Sequence, residues 1–265
     1  MQENQETGCG PLETYTAWKA LITSGGDVTV WQRFYVYFYQ AFLQNDRWKL
    51  YLNGVLTTLY VTALALVIVV VIGVIVAVVR TAHDQQRPGH KNFFLGVVNG
   101  ILKIYVTIIR GTPMLVQLMI MGFVIFKSSR NFALVGSLTL GINSGAYVSE
   151  IIRGGLMSVD VGQSEAGRSL GLHYADTMRF IIIPQAIKAI LPALGNEFII
   201  LLKETSLISV IGGKELVYAA KGIVSNTFEA MFPYLITAAI YLVLVLIFSW
   251  LLGRFERRLR ASDLR

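Results

Sequence analysis

Two groups of polar residues could do chemistry in this chain, and both occur in a mostly apolar sequence. The first group lies in the island 165–184, EAGRSLGLHYADTMRFIIIP, between two apolar segments. A charge at the centre of a bilayer costs at least about 2.5 kcal/mol on insertion scales, so it normally faces a pathway or a partner. The second group lies inside such apolar segments: Arg110, Asn143, Glu150, Arg153, Glu197, Lys203, Glu204, Thr205 and Ser206.

The second group predicts a route for a small polar solute. Both signs of charge occur in it, which matches a zwitterion. Acids can recognise an ammonium group, and amide or hydroxyl groups can add hydrogen bonds. We therefore predict that five residues line a substrate path: Asn143, Glu150, Glu197, Thr205 and Ser206.

A second interpretation of these charges stays open. Glu150 could pair with Arg153 or Arg110, and Glu197 with Lys203. Such ion pairs would hold the helices together and leave the solute untouched.

The polar island predicts two short helices and a docking surface. Gly171 suits the position after a helix, because a left-handed backbone costs glycine little. The helices are then roughly 163–170 and 173–182, and Pro184 sits where another helix can start. Small side chains on the first helix would let another backbone approach closely, and the leucines beside Gly171 offer apolar contacts.

Several kinds of active site are missing from the sequence. A P-loop requires glycine, four residues and then Gly-Lys-Ser/Thr, whereas residues 212–215 read Gly-Gly-Lys-Glu. Cys9 is the sole cysteine, which excludes an intrachain disulfide. The histidines, His83, His90 and His173, lack the ligand spacing of a metal site. We expect no cofactor in this chain, so that ATP and Mg would bind a separate ATPase.

The composition predicts an all-α membrane protein. The chain has 265 residues, of which 54% are hydrophobic and 15% charged. Several runs approach or exceed the roughly 20 apolar residues that cross a bilayer. The net charge of +7 comes from basic residues beside these runs, with no basic stripe interleaved with aromatics. This pattern favours membrane lipid as a partner and excludes nucleic acid.

About five transmembrane helices are predicted. Residues 93–109 form either an interfacial helix or the lower half of a kinked second crossing. The basic loop after Arg80 and the basic end of the chain belong in the cytoplasm by the positive-inside rule, which puts the N-terminus outside and the C-terminus inside. The predicted crossings are 54–79, roughly 100–126, 132–159, 185–203 and 230–253.

Three further segments carry predictions of their own. Residues 204–215, ETSLISVIGGKE, are too polar for lipid and too apolar for a free loop, which indicates a re-entrant or gate segment. Met1–Gly10 is predicted to be disordered, and no cleavable signal peptide is expected because the first apolar run lies far from Met1. The aromatic segment 31–43 is either an interfacial helix or a helix packed on the outside of the bundle.

The polar island also resembles a known family. Its residues resemble the pattern E-A-A-x3-G-x9-I-x-L-P, which is the EAA loop of bacterial ABC importer permeases. Two positions differ: Gly167 replaces an alanine of the pattern and Ile183 replaces a leucine. The matches RGTPMLVQL, GAYVSEIIRGGLMSV and NEFIILLKETSLISVIG look like its polar amino-acid branch, and the resemblance runs from about Asn53 to Arg257. Five residues fall at the spacing of the loop: Glu165, Ala166, Gly171, Ile181 and Pro184.

The resemblance implies a multi-pass transmembrane subunit of an importer in the bacterial cytoplasmic (inner) membrane. Its partners would be an ABC ATPase dimer, a second permease copy or a paralogue, and an extracytoplasmic amino-acid-binding protein. The implied domains are an N-terminal polar or interfacial segment 1–50, a permease domain 51–257 with the cytoplasmic two-helix coupling loop at 160–184, and a basic tail 258–265. The implied ATPase-coupling residues are Glu165, Ala166, Gly167, Arg168, Ser169, Leu170, Gly171 and Leu172.

Two other functions remain open at this point. An ion-coupled secondary amino-acid transporter could use Glu150 or Glu197 to bind its ion. A purely structural membrane subunit would show no dependence on a solute.

Overall fold

The computed structural model describes residues 10–86 and 92–260, which form helices joined by short turns. The predicted disorder of Met1–Gly10 falls almost wholly outside these ranges, as do parts of the basic loop and tail. Short π-helical turns follow α2, α5 and α8, and a 3-10 helix, Thr205–Ile211, follows α9. The α-helices are α1 (Pro11–Thr23), α2 (Val30–Phe38), α3 (Trp48–Asp84), α4 (Phe93–Gly111), α5 (Met114–Ile120), α6 (Phe132–Met157), α7 (Val161–Ser169), α8 (Tyr174–Thr177), α9 (Ile183–Glu204), α10 (Leu216–Thr227) and α11 (Met231–Arg260).

Five helical segments in the described ranges are long and apolar enough to cross a membrane, which confirms the predicted all-α membrane fold. The sequence predicts a second crossing at roughly 100–126, whereas the crossing helix runs from Phe93 to Gly111 and Met114–Ile125 is a separate, shorter apolar helix. The crossing helix begins at Phe93 because the Asn92 side chain accepts a hydrogen bond from Leu95 N (3.2 Å) and so caps the helix there. The crossing segments are Trp48–Asp84, Phe93–Gly111, Phe132–Met157, Tyr174–Ile211 and Met231–Arg258.

The core of the bundle is the contact between α3 and α6. A Cβ added to Gly141 would lie 2.6 Å from the Ile68 side chain, and one added to Gly73 would lie 2.6 Å from Val148. Small residues on α6 therefore allow close approach, as predicted for this crossing. The residue numbers of the contacting pairs increase together, from Ile68 with Gly141 to Gly73 with Val148, so α3 and α6 run parallel.

The segment after α9 folds back into the bundle. Ile208 and Ile211 of its 3-10 helix are buried, and a Cβ on Gly122 would lie 2.7 Å from Ile211. These contacts show that the stretch is not a free loop, and its role as a re-entrant or gate segment stays a prediction. The stretch leads into α10, which the sequence did not predict and whose Leu216 packs directly on the backbone of Gly54.

The N-terminal helices lie at the end of the bundle where α11 starts. The rings of Phe34 and Tyr37 on α2 contact Phe232, with centroid distances of 5.2 and 5.9 Å. On α1, Trp18 contacts Tyr35 of α2 at 5.2 Å. One side of α2 is thus packed on the bundle and another side is exposed.

Candidate functional site

A polar cavity of about 520 Å³ opens where the break between α4 and α5 meets α6 and α9. It brings together Asn143 and Glu197, two of the predicted path residues. The lining residues are Arg110, Gly111, Thr112, Pro113, Met114, Asn143, Tyr147, Glu197, Ile200 and Glu204.

The break that forms one wall of the cavity follows from Pro113. Proline has no N–H, so Ile109 O cannot receive the helical hydrogen bond that residue 113 would normally donate. Instead, Gln117 Nε2 donates to Ile109 O at 2.7 Å, and Thr112 Oγ1 donates to Ile108 O at 2.9 Å. A polar backbone at membrane depth is tolerated because side chains satisfy it.

Gln117 also connects the break to the opposite wall. Its Oε1 accepts a hydrogen bond from Asn143 Nδ2 at 3.0 Å. Tyr147 follows Asn143 by one helical turn, and its ring lies 5.0 Å from the Arg110 guanidinium carbon. The cation of Arg110 is thereby held beside the cavity.

Glu197 and Glu204 supply the acidic wall. They are seven residues apart on α9 and therefore share one face about two turns apart. The cavity thus offers one cation, two acids and an amide. This set can bind the carboxylate and the ammonium group of a zwitterion at the same time.

Glu150 lies outside this cavity, in an ion cluster at the ends of α3 and α6. Its carboxylate pairs with Arg80, and Arg153 Nη2 donates to it at 3.1 Å. Arg153 Nη1 also donates to Asp84 Oδ2 at 3.2 Å. The geometry matches the interpretation in which Glu150 pairs with Arg153, and it adds two partners from α3.

Thr205 and Ser206 also lie outside the cavity. Thr205 is fully buried, donates to Leu202 O at 2.7 Å and lies 3.4 Å from the hydroxyl of Tyr241. Ser206 O accepts the hydroxyl of Ser209 at 2.9 Å within the 3-10 helix. Both residues thus belong to the packing of the segment after α9.

Glu215 links that segment to α10 and α11. Its carboxylate accepts from Val217 N (2.8 Å), Tyr218 N (2.9 Å) and Tyr241 Oη (3.0 Å). Burial raises the pKa of Glu215 to about 7, although these hydrogen bonds oppose the rise. The side chain is therefore a buried cap that joins three elements.

The polar island forms the predicted turn at Gly171, but the helical segment after it does not end near residue 182: it continues from Tyr174 through Pro184 into the fourth crossing. Asp160 caps the start of α7, where its side chain accepts a hydrogen bond from Gly162 N at 2.6 Å, and the helix ends before Gly171. Gly171 has a φ of +78°, and Leu172 N donates to Gly167 O at 3.1 Å. This left-handed ending confirms the role predicted for Gly171.

The loop exposes apolar side chains on one side, and its other contacts connect it to the bundle. Leu170 is 78% exposed, and Val161 and Tyr174 are also exposed. A Cβ on Gly167 would lie 2.8 Å from Thr177, so α7 rests closely on the following helical segment. Tyr174 Oη donates to Gln85 Oε1 at 2.5 Å and connects the loop to the end of α3.

Four residues of these sites escaped sequence reasoning. Arg80 marks the end of a crossing in the sequence and Asp84 gives no signal there, because their pairing with α6 depends on the parallel contact of α3 and α6. Tyr147 carries no charge to draw attention to it. Glu215 directly precedes an apolar run, and a capping residue in that place is a usable signal of a helix start.

Comparison with known proteins assigns most of the chain to one family. Residues 88–261 match the family described as binding-protein-dependent transport system inner membrane component. The glutamine transport system permease protein GlnP of Escherichia coli (strain K12) is 35% identical over 215 residues, covering 80% of this chain and 93% of that protein. The putative glutamine transport system permease protein GlnP of Rickettsia prowazekii is 36% identical over 211 residues, covering 78% and 92%.

Solved structures give the same architecture. The crystal structure of an amino acid ABC transporter with histidines matches with a TM-score of 0.70 and 45% identity, covering 79% of this chain and 94% of that chain. The inward-facing MetNI methionine ABC transporter matches in fold, with a TM-score of 0.67 and 20% identity over 82% of this chain. With five apolar helices in the described ranges, the chain belongs to the family of binding-protein-dependent transport system inner membrane components and is a multi-pass protein of the bacterial inner membrane.

Proposed function

We propose that this chain is the transmembrane subunit of an ABC importer for a polar or charged amino acid, and that the solute passes the cavity between α4, α6 and α9. The observation that carries the proposal is the grouping of Arg110, Glu197, Glu204 and Asn143 in one membrane-embedded cavity. Its volume falls within the roughly 300–1,000 Å³ of small-molecule sites. The relatives that transport glutamine and other amino acids support the solute class.

The proposed path is narrower than the one that the sequence indicates. Asn143 and Glu197 remain in it, and Arg110 and Glu204 join them. Glu150 instead stabilises the ends of α3 and α6, and Thr205 and Ser206 hold the segment after α9 in the bundle. Arg110 would attract the solute carboxylate, and the two glutamates would attract its ammonium group.

Energy for transport comes from outside this chain. Relatives in this family are permease subunits of ABC importers, in which ATP hydrolysis is carried by a separate ATPase subunit. We propose that residues 165–172, which are the second half of α7 and the turn after it, bind that ATPase. The exposed side chains of Leu170 and nearby Tyr174 would supply apolar contacts. A solute-binding protein delivers the amino acid, and a pair of permease chains with a pair of ATPases completes the assembly.

Glu197→Gln tests the path. The chain is reconstituted with its ATPase and solute-binding protein, and ATP-dependent uptake of glutamine and of charged amino acids is measured. A hydrogen bond to a charged group contributes about 1.5–3 kcal/mol, and 1.4 kcal/mol is tenfold in binding, so we expect the uptake KM to rise about tenfold or more.

Glu13→Gln is the matched control, because it removes the same charge from exposed α1. It should leave the uptake KM unchanged. Assembly and basal ATP hydrolysis should survive in both variants. Unchanged uptake of every amino acid by the Glu197 variant would remove the cavity from the transport path.

A further inference from the structure

Three aromatic rings on α2 form one continuous row, of which the first two are exposed. Trp31, Phe34 and Phe38 share one side of the helix, and their centroids lie 5.4 and 6.1 Å apart. We call these three residues the aromatic face. Trp31 is 68% exposed and Phe34 is 45% exposed, so the packing of α2 against the bundle leaves much of the face uncovered.

The position of α2 along the membrane normal is fixed by Phe232. This residue is the second of α11, and it contacts Phe34 edge-on at 5.2 Å and Tyr37 at 5.9 Å. Arg254 follows it by 22 residues on the same helix, a rise of about 33 Å at 1.5 Å per residue. The hydrocarbon core is about 30 Å thick. With Arg254 at one boundary of the hydrocarbon, Phe232 and the aromatic face lie at the other.

The aromatic face contacts the start of α11, and exposed apolar side chains occur there and farther along that helix. Phe228, in the turn between α10 and α11, is 94% exposed, and Met231, the first residue of α11, is 63% exposed. Leu235 and Leu242, farther along α11, are exposed as well. An apolar side of a crossing helix that its own bundle leaves uncovered faces either lipid or the second permease chain, and the experiment below separates the two.

The charge on α2 lies on the other side of the helix. Arg33 is exposed and stands about 200° around the helix from Trp31 at 100° per residue. A helix with aromatic rings on one side and a cation on the other suits the plane between acyl chains and headgroups.

We infer that the aromatic face of α2 is a lipid-binding surface, inserted at the boundary of headgroups and acyl chains in the leaflet next to the start of α11. The helix then lies in the plane of that leaflet. It contacts the start of α11 through Phe232. Its partner is the bilayer itself.

Fluorescence quenching with a single tryptophan tests this position. In the full chain, Trp18, Trp48 and Trp250 are replaced by Phe, which leaves Trp31 as the sole tryptophan. The protein is reconstituted in phosphatidylcholine vesicles brominated either near the headgroup or near the methyl end of the acyl chain. We expect blue-shifted emission, a larger loss of intensity with shallow bromines than with deep ones, and little loss with aqueous iodide.

The matched control moves the tryptophan to the other side of the same helix. It carries Trp31→Phe and Arg33→Trp in the same background. Its tryptophan emission should be quenched by iodide and not by brominated lipid. If Trp31 is quenched by iodide alone, the aromatic face borders water. If neither quencher reaches it, a protein surface covers the face. Either result overturns the proposal.

A second probe keeps the test valid if the tryptophan variants do not fold. A nitroxide is attached to Trp31→Cys or Arg33→Cys in a Cys9→Ser background. Collisions with oxygen should dominate at position 31, and collisions with a water-soluble nickel chelate should dominate at position 33. The reverse order would also reject lipid insertion.

Discussion

At the scale of single residues, Glu150 shows how the role of a carboxylate depends on neighbours from other segments. The same acid in an apolar stretch could serve a solute or an ion pair. The parallel contact of α3 and α6 brings Arg80 beside it, and Arg153 and Asp84 complete the cluster. Its oxygens are thus occupied by guanidinium groups.

Glu150→Gln should destabilise the protein, because Arg80 and Arg153 would lose their shared counter-charge. The expected loss is about 1–3 kcal/mol, the usual cost of leaving a hydrogen-bonded group unsatisfied. Thermal unfolding in detergent measures it. The double variant Arg80→Gln with Glu150→Gln should recover part of the loss.

Uptake assays separate this structural role from a role in the path. The assembled Glu150→Gln transporter should keep the wild-type uptake KM and solute preference. A changed preference for amino acids of different charge would return Glu150 to the path.

Glu215 predicts a pH dependence of stability. Its pKa rises on folding from the ordinary value of about 4.5 to about 7, mainly because the carboxyl group is buried. The folded state therefore favours the protonated carboxyl group. The stabilising contribution is complete below about pH 4.5 and is lost as the pH rises through about 7.

The measurement is the slope of unfolding temperature against pH between about pH 5 and pH 8. The slope should be downward in the wild type and flatter in Glu215→Gln. Glu229→Gln is the matched control. Glu229 also accepts hydrogen bonds from backbone N–H groups at a helix start, from Met231 (3.1 Å) and Phe232 (3.2 Å). Equal slopes in all three proteins would exclude Glu215 as the source.

At the scale of elements, the turn between α7 and α8 is the feature most open to a direct test. Gly171 has a φ of +78°, a conformation that costs a residue with a Cβ roughly 1–2 kcal/mol and asparagine less. Gly171→Val should therefore displace the exposed Leu170 and Leu172, whereas Gly171→Asn should keep the turn.

The readout for this pair is solute-stimulated ATP hydrolysis by the assembled transporter. We expect the valine variant to lose stimulation while it inserts normally and the ATPase keeps its basal rate. The asparagine variant should stay close to the wild type. Full stimulation in the valine variant would argue that α7 does not couple the two subunits.

The sequence predicts these elements unequally, for physical reasons. The α7 turn and the close packing of α6 depend on glycine, whose backbone freedom and small size can be recognised locally. The cavity could be predicted in part, because Asn143 and Glu197 are polar residues in apolar stretches. The pairing of Arg80 with Glu150, 70 residues apart, depends on which helices become neighbours. α10 has no long apolar run, and its start at buried Glu215 became visible from its hydrogen bonds.

At the scale of the whole molecule, the directions of the helices fix which ends lie together. α3 and α6 run parallel. α9 runs opposite to α11, because Phe198 contacts Phe248 while Thr205 lies near Tyr241. The starts of α3, α6 and α11 therefore share one side with α1 and α2. The polar loop with α7 lies on the other side with the end of α11.

The orientation of this arrangement in the membrane is our last prediction. Arg80 near the end of α3 and the basic residues within 254–258 near the end of α11 lie on the side of α7, and the positive-inside rule places that side in the cytoplasm. The coupling proposal needs the same orientation, since an ATPase works where ATP is present. Ser24 and Arg130, both exposed, would then face outward, and exposed Ser169 would face inward.

Single cysteines at these three positions, in a Cys9→Ser background, test the orientation. They are labelled with a thiol reagent that does not cross the inner membrane, on cells whose outer membrane, if present, has been opened. Cysteines at 24 and 130 should react on intact inner membranes, and the one at 169 should react after permeabilisation. The last result also shows that residue 169 is accessible when both sides are open. Labelling at 169 from outside, with 24 and 130 protected, would invert the molecule and place α7 where no cytoplasmic ATPase could reach it.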